Sequence, residues 1–101
     1  SLTPLSAQTN APVANAFRLM QNYPNPFNPT TVIQYQLPVA STVSLKVYDA
    51  LGREVATLVN ERKDAGMHQV EFRATNLASG TYFYRLQAAQ FVETKKMILI
   101  K

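Results

Sequence analysis

Residues 42–60, TVSLKVYDALGREVATLVN, constrain the fold more than any other part of this 101-residue chain. Val43, Leu45 and Val47 alternate with Ser44, Lys46 and Tyr48. That two-residue period belongs to a strand with one buried face. Asp49, Ala50, Leu51 and Gly52 then have the composition of a type I turn, with Asp first and Gly last. Val55, Thr57 and Val59 resume the alternation in the returning strand. The stretch is a β-hairpin, and the rest of the chain must supply the strands it packs with.

It does so with the same period. Thr31, Ile33, Tyr35 and Leu37 alternate with Val32, Gln34 and Gln36 until Pro38 ends the strand. Val70 and Phe72 alternate with Gln69, Glu71 and Arg73, and Tyr82, Tyr84 and Leu86 with Phe83, Arg85 and Gln87. A short turn at Ala89 and Gln90 leads into a last strand from Phe91 to Ile100. Between these lie a charged loop, ERKDAG at 61–66, and a turn, NLASG at 76–80, with Leu77 tucked inward. Turn signals recur roughly every 8 to 12 residues, and helical periodicity is absent. The pattern predicts an all-β, immunoglobulin-like antiparallel β-sandwich of about seven strands.

Residues 1–16, SLTPLSAQTNAPVANA, carry no charge and two prolines among Ser, Thr, Ala, Asn and Gln. This composition reads as a flexible linker from a preceding domain, with 17–101 as the folded domain. Phe17, Leu19 and Met20 form a short apolar patch that suits a first strand or an edge segment. YPNPFNP at 23–29 holds three prolines, which exclude a helix and keep the backbone extended. Phe27 within it fits a plug at one end of the sandwich.

Composition narrows the function. A hydrophobic share of 47% suits a globular chain and not a disordered one. The absence of cysteine removes disulfide scaffolds and Cys-based zinc sites. A net charge of +4, without Arg–aromatic strips, makes nucleic acid a poor partner. No run of about 18 apolar residues spans a membrane. The first residues lack a signal-peptide pattern, so an exported version would carry its signal in a longer parent chain.

Little in the sequence suggests chemistry. His68 is the sole histidine, too few for a zinc site, and a Ser-His-Asp arrangement would have to converge on it alone. The six carboxylates, Asp49, Glu54, Glu61, Asp64, Glu71 and Glu93, do not follow a calcium-loop spacing. Glu61 and Asp64 share a loop that is either solvated or a weak cation site, and Asp49 is a turn former. The glycines are isolated, which rules out a phosphate loop. Gly52 and Gly80 suit positive φ or close approach at strand junctions. We expect no catalytic residue, metal or cofactor. Tyr48, Phe83 and their neighbours could serve a carbohydrate-binding or adhesion module, though no Trp is present to stack on sugars. Lys95, Lys96 and Lys101 bracket Met97, Ile98, Leu99 and Ile100. They either guard an exposed sheet edge or mark one that a partner reads by strand addition.

Four motifs in order carry a resemblance. QNYPNPFNPTT at 21–31, LKVYDALGREVATLV at 45–59, NLASGTYFY at 76–84 and KKMILIK at 95–101 together resemble the C-terminal sorting domain of the type IX secretion system, of the Por secretion tail family. The resemblance implies a β-sandwich at the C-terminus of an exported Gram-negative protein. It implies transit of the periplasm, carriage by the outer-membrane translocon to the cell surface or medium, and removal by a sortase-like peptidase. The cargo would precede the domain, and the domain itself would be a monomer. Lys95, Lys96, Met97, Ile98, Leu99, Ile100 and Lys101 would then be what the translocon recognises. Pro24, Asn25, Pro26, Phe27, Tyr48, Asp49, Gly52, Gly80 and Tyr82 would be mainly structural motif residues. Any cleavage would fall in the uncharged leader, before about residues 17–21.

Overall fold

The alternation sorts side chains onto two faces, and the computed structural model, which describes residues 16–101, shows how those faces meet. Seven strands are present: β1 (Arg18–Leu19), β2 (Thr30–Leu37), β3 (Ser41–Asp49), β4 (Glu54–Lys63), β5 (Gly66–Arg73), β6 (Gly80–Ala88) and β7 (Phe91–Leu99). One sheet has the order β1-β2-β5 and the other β4-β3-β6-β7, with every pairing antiparallel. No helix occurs among the described residues. The linker expected at 1–16 lies outside them except for Ala16.

The inner faces form one core. Ile33, Tyr35 and Leu37 of β2 meet Val43, Leu45 and Val47 of β3, Tyr84 and Leu86 of β6, and Met97 and Leu99 of β7. All of these are buried. Leu77 packs against the same cluster, as its sequence context indicated.

The returning arm of the hairpin departs from its expected alternation. Leu45 pairs with Val59 but Lys46 with Thr57, and Val47 pairs with Ala56 but Tyr48 with Glu54. Leu58 and Val55 are therefore bulge residues, each an extra residue that flips the side chains beyond it. Val59 stays buried, whereas Thr57 is exposed and donates to Glu54 Oε2 at 2.7 Å. Ala56 takes the place opposite Val47 that the simple period gave to Thr57. The charged loop at 61–66 is also shorter than expected. β4 runs to Lys63, so Glu61 is a strand residue paired with Val43, and only Asp64 and Ala65 separate β4 from β5. His68 fastens that turn: its Nε2 lies 2.7 Å from the Asp64 carbonyl and its ring stacks on Tyr35.

The connections gather at two poles. At one lie Ala16, the β2–β3 connection, the 64–65 turn and the 89–90 turn. At the other lie the 50–53 turn, the 74–79 loop, the proline loop at 24–29, and Ile100 with Lys101. The eight residues of β2 separate the poles by about 25 Å at roughly 3.3 Å per residue.

Candidate functional site at the motif pole

Each motif seen in the sequence contributes to that second pole. The proline loop is held by a buried polar network. The Tyr84 hydroxyl accepts from the Asn22 N–H at 2.8 Å and donates to the Met20 carbonyl at 2.7 Å. Asn22 Nδ2 donates to Thr31 Oγ1 at 2.9 Å, and that hydroxyl donates to the Pro24 carbonyl at 2.8 Å. Such a network is stable only when its members are all paired. Burial pushes the Tyr84 hydroxyl up to about 12 despite the Asn22 bond.

The loop then joins the last strand. Phe27 is buried and its ring lies 6.1 Å from that of Phe72, which makes it the expected plug. Its backbone does more. Phe27 forms a parallel bridge to Leu99, its N–H donating to the Ile98 carbonyl at 2.9 Å and its carbonyl accepting from Ile100 N–H at 2.9 Å. Asn25 Oδ1 accepts from Ile98 N–H at 2.9 Å, and Gln21 Nε2 donates to the Lys96 carbonyl at 2.9 Å. The open edge expected along residues 95–101 is therefore closed by the loop between Gln21 and Phe27. The sequence did not reveal this because the loop has no strand period and meets its partners some 73 positions away.

The tail is anchored too. Lys101 N–H donates to Ser79 Oγ at 3.0 Å and its ammonium to the Thr75 carbonyl at 2.8 Å. Met97 and Leu99 point into the core, while Lys96 and Ile100 are exposed and Ile98 is half-buried. Lys95 faces the opposite side from Lys96 and pairs with Glu93 at 3.4 Å. Of the seven tail residues singled out in the sequence, Lys96, Ile98, Ile100 and Lys101 thus offer side chains to a visitor, and Met97 and Leu99 do not.

The hairpin turn and the NLASG segment complete the pole. Asp49 Oδ1 accepts from Leu51 and Arg53 N–H at 2.9 Å each, and Oδ2 from Arg53 Nε at 2.8 Å. The Arg53 N–H, its guanidinium and the Leu51 N–H hold the carboxyl below its usual range. Gly52 closes the turn onto the Asp49 carbonyl with φ +87°, a value that disfavours side chains. Tyr82, paired with Asp49, is buried with its hydroxyl donated to the Ala78 carbonyl at 2.7 Å. Gly80 pairs with Leu99. Leu51 at the turn tip and Tyr23 before the proline loop are each 80% exposed, and nothing in the packing requires them to be large and apolar.

On the outer face of the second sheet, Tyr48 and Phe83 are cross-strand neighbours beside an open hollow of about 300 Å³. The Arg85 guanidinium lies 5.0 Å above the Tyr48 ring and donates to its hydroxyl at 2.7 Å. A sugar could stack on Tyr48 only after Arg85 moved. Among the described residues no group of three or more His, Cys, Asp or Glu could hold a metal ion.

Fold and pole define a small antiparallel β-sandwich whose last strand is locked in place by its own first loop. The family described as Secretion system C-terminal sorting domain matches residues 21–101, and the chain belongs to that family. It is a C-terminal sorting domain of the type IX secretion system, which implies export to the cell surface or beyond. The structure is similar to PorZ, an essential bacterial surface component of the type-IX secretion system of Porphyromonas gingivalis, with a TM-score of 0.56 at 19% identity. The match covers 93% of this chain and 13% of the PorZ chain, and at that identity it shows the fold. No curated protein matches the chain.

Proposed function

We propose that this domain is a non-catalytic export label, read at its motif pole while the cargo is carried at the other. One observation carries the reading: all four motifs converge at the pole about 25 Å from Ala16, where the chain arrives from its N-terminal side. A cargo joined there leaves the motif pole free. Lys96, Ile98, Ile100 and Lys101 present the recognised side chains, and the proline loop sets their positions. The translocon of the type IX system is the reader. A sortase-like peptidase then cuts ahead of Phe17, because Arg18 and Leu19 are already paired to β2 and Leu19 is buried. A protease cleft needs extended, unpaired backbone.

The test is a secreted fusion in a Gram-negative host with type IX machinery. Lys96→Glu with Ile98→Asn and Ile100→Ser changes the exposed side of the tail and leaves the core residues Met97 and Leu99 intact. Cargo should accumulate in the periplasm although the purified domain keeps its melting temperature. Normal export of that variant would reject reading at the tail. The carbohydrate-binding alternative predicts retention on insoluble polysaccharide that Phe83→Ala abolishes.

A further inference from the structure

Four strand edges bound the two sheets, and three of them are protected. β1 is two residues long. β4 carries two register shifts, which twist an edge and spoil it as a template. β7 is covered by residues 21–27 over its last half, and Phe17 stacks on Phe91 at its start, with ring centroids 5.4 Å apart. β5 is different. It is eight residues long, free of proline, and pairs with β2 without any register shift.

The phase of its free edge follows from one bond. Ala74 N–H donates to the Pro29 carbonyl at 2.8 Å, in register with the β2–β5 ladder. His68, Val70 and Phe72 therefore turn their backbone groups toward β2. Met67, Gln69, Glu71 and Arg73 turn theirs outward, and among the described residues these groups have no backbone partner.

We propose that this edge takes an extended segment of a partner protein as an added antiparallel strand. The inference rests on the export reading, since the partner is a component of the export machinery. The chemistry of the segment can be read from the edge. Its outer side carries an anion opposite Arg73 and a cation opposite Glu71, the cross-strand pairing that stabilises a ladder. Its inner side carries apolar residues opposite Val70 and Phe72, covering the half-buried Val70. A second copy fits less well. Full overlap of two β5 strands sets the two Glu71 carboxylates diagonally across the join, between chains that each carry +4.

The test replaces Gln69 and Glu71 together by proline. Their N–H groups face outward, so the ladder to β2 keeps its bonds while the edge loses donors. Export of a fusion bearing Gln69→Pro/Glu71→Pro should be lost, with the melting temperature of the domain unchanged and the parent domain sedimenting as a monomer. Normal export of this variant, where deletion of 21–101 abolishes export, overturns the edge proposal and leaves the sorting reading standing. Normal export after that deletion overturns both. A parent dimer that the prolines dissociate assigns the edge to a second copy and also overturns the proposal. A second measurement stays informative should the prolines disturb folding. The unaltered domain is mixed with the capped peptide Asp-Val-Lys-Val-Thr-Val-Thr and followed by amide hydrogen exchange. Slowing confined to Met67, Gln69, Glu71 and Arg73 supports the proposal. No slowing at these four, or equal slowing across all strands, counts against it.

Discussion

Tyr84→Phe isolates the attachment of the proline loop to the core. The substitution keeps the ring and removes one oxygen. That oxygen accepts from Asn22 N–H at 2.8 Å and donates to the Met20 carbonyl at 2.7 Å, inside a fully buried site. Two net hydrogen bonds at about 0.5–1 kcal/mol each are lost, and the Asn22 amide left without an acceptor adds about 1–2 kcal/mol, a total of about 2–4 kcal/mol. For a domain of this size each kcal/mol moves the midpoint by roughly 4–8 °C, so the melting temperature should fall by at least about 8 °C. Amide exchange locates the effect. Ile98 and Ile100 donate to the loop, so their exchange should accelerate more than that of Val43 or Leu45 in β3. A loss below about 0.5 kcal/mol with unchanged exchange at Ile100 would show that Phe27 packing alone docks the loop, and that the network is incidental.

Three further outcomes follow from the same structure. Phe27→Ala should cost about 3–5 kcal/mol in denaturant unfolding, since it empties a buried site against Phe72 and unseats the bridge to Leu99. Tyr84, held near 12 by burial against an ordinary value of 10.0, stabilises the fold fully below pH 10, and that contribution is lost as pH rises from 10 through 12. Alkaline unfolding followed by tyrosinate absorbance should therefore shift to higher pH in Tyr84→Phe once its lower baseline stability is subtracted. Ala89 sits at φ 54° in the β6–β7 turn, where an L residue is strained by about 1–2 kcal/mol. Ala89→Gly relieves that strain at a cost of about 0.4–1 kcal/mol in chain entropy, so thermal melting should show a gain of up to about 1.6 kcal/mol.

Strand periodicity was the legible part of this chain. Thr31 to Leu37, Val43 to Val47 and Tyr82 to Leu86 announce their buried faces because every inward residue of those strands is buried. The returning arm of the hairpin misled because bulges at Leu58 and Val55 keep the strand but shift its period. The pole was legible as composition and not as geometry. Three prolines excluded a helix and suggested an extended loop, but residues 24–26 and 28–29 bend, and nothing local said that Asn25 and Phe27 reach Ile98 and Ile100. The signal available was Asn22 and Thr31, small polar residues bracketing a rigid turn, which suit a buried network better than a solvated loop. Tyr84 gave no warning, since an inward tyrosine in a strand reads as core whether or not its hydroxyl is employed.

Because Gln21, Asn25 and Phe27 each hydrogen-bond to residues between Lys96 and Ile100, the proline loop cannot dock fully until almost all of the domain has been synthesised. A polypeptide abandoned before residue 91 leaves β6 paired to β3 alone, the plug without its bridge, and the proline loop held through Tyr84 and Thr31 without the tail. Such a product displays no finished pole to any reader. Under the export reading proposed above, the label doubles as a check that the domain itself was finished, withholding the address from chains cut short within it.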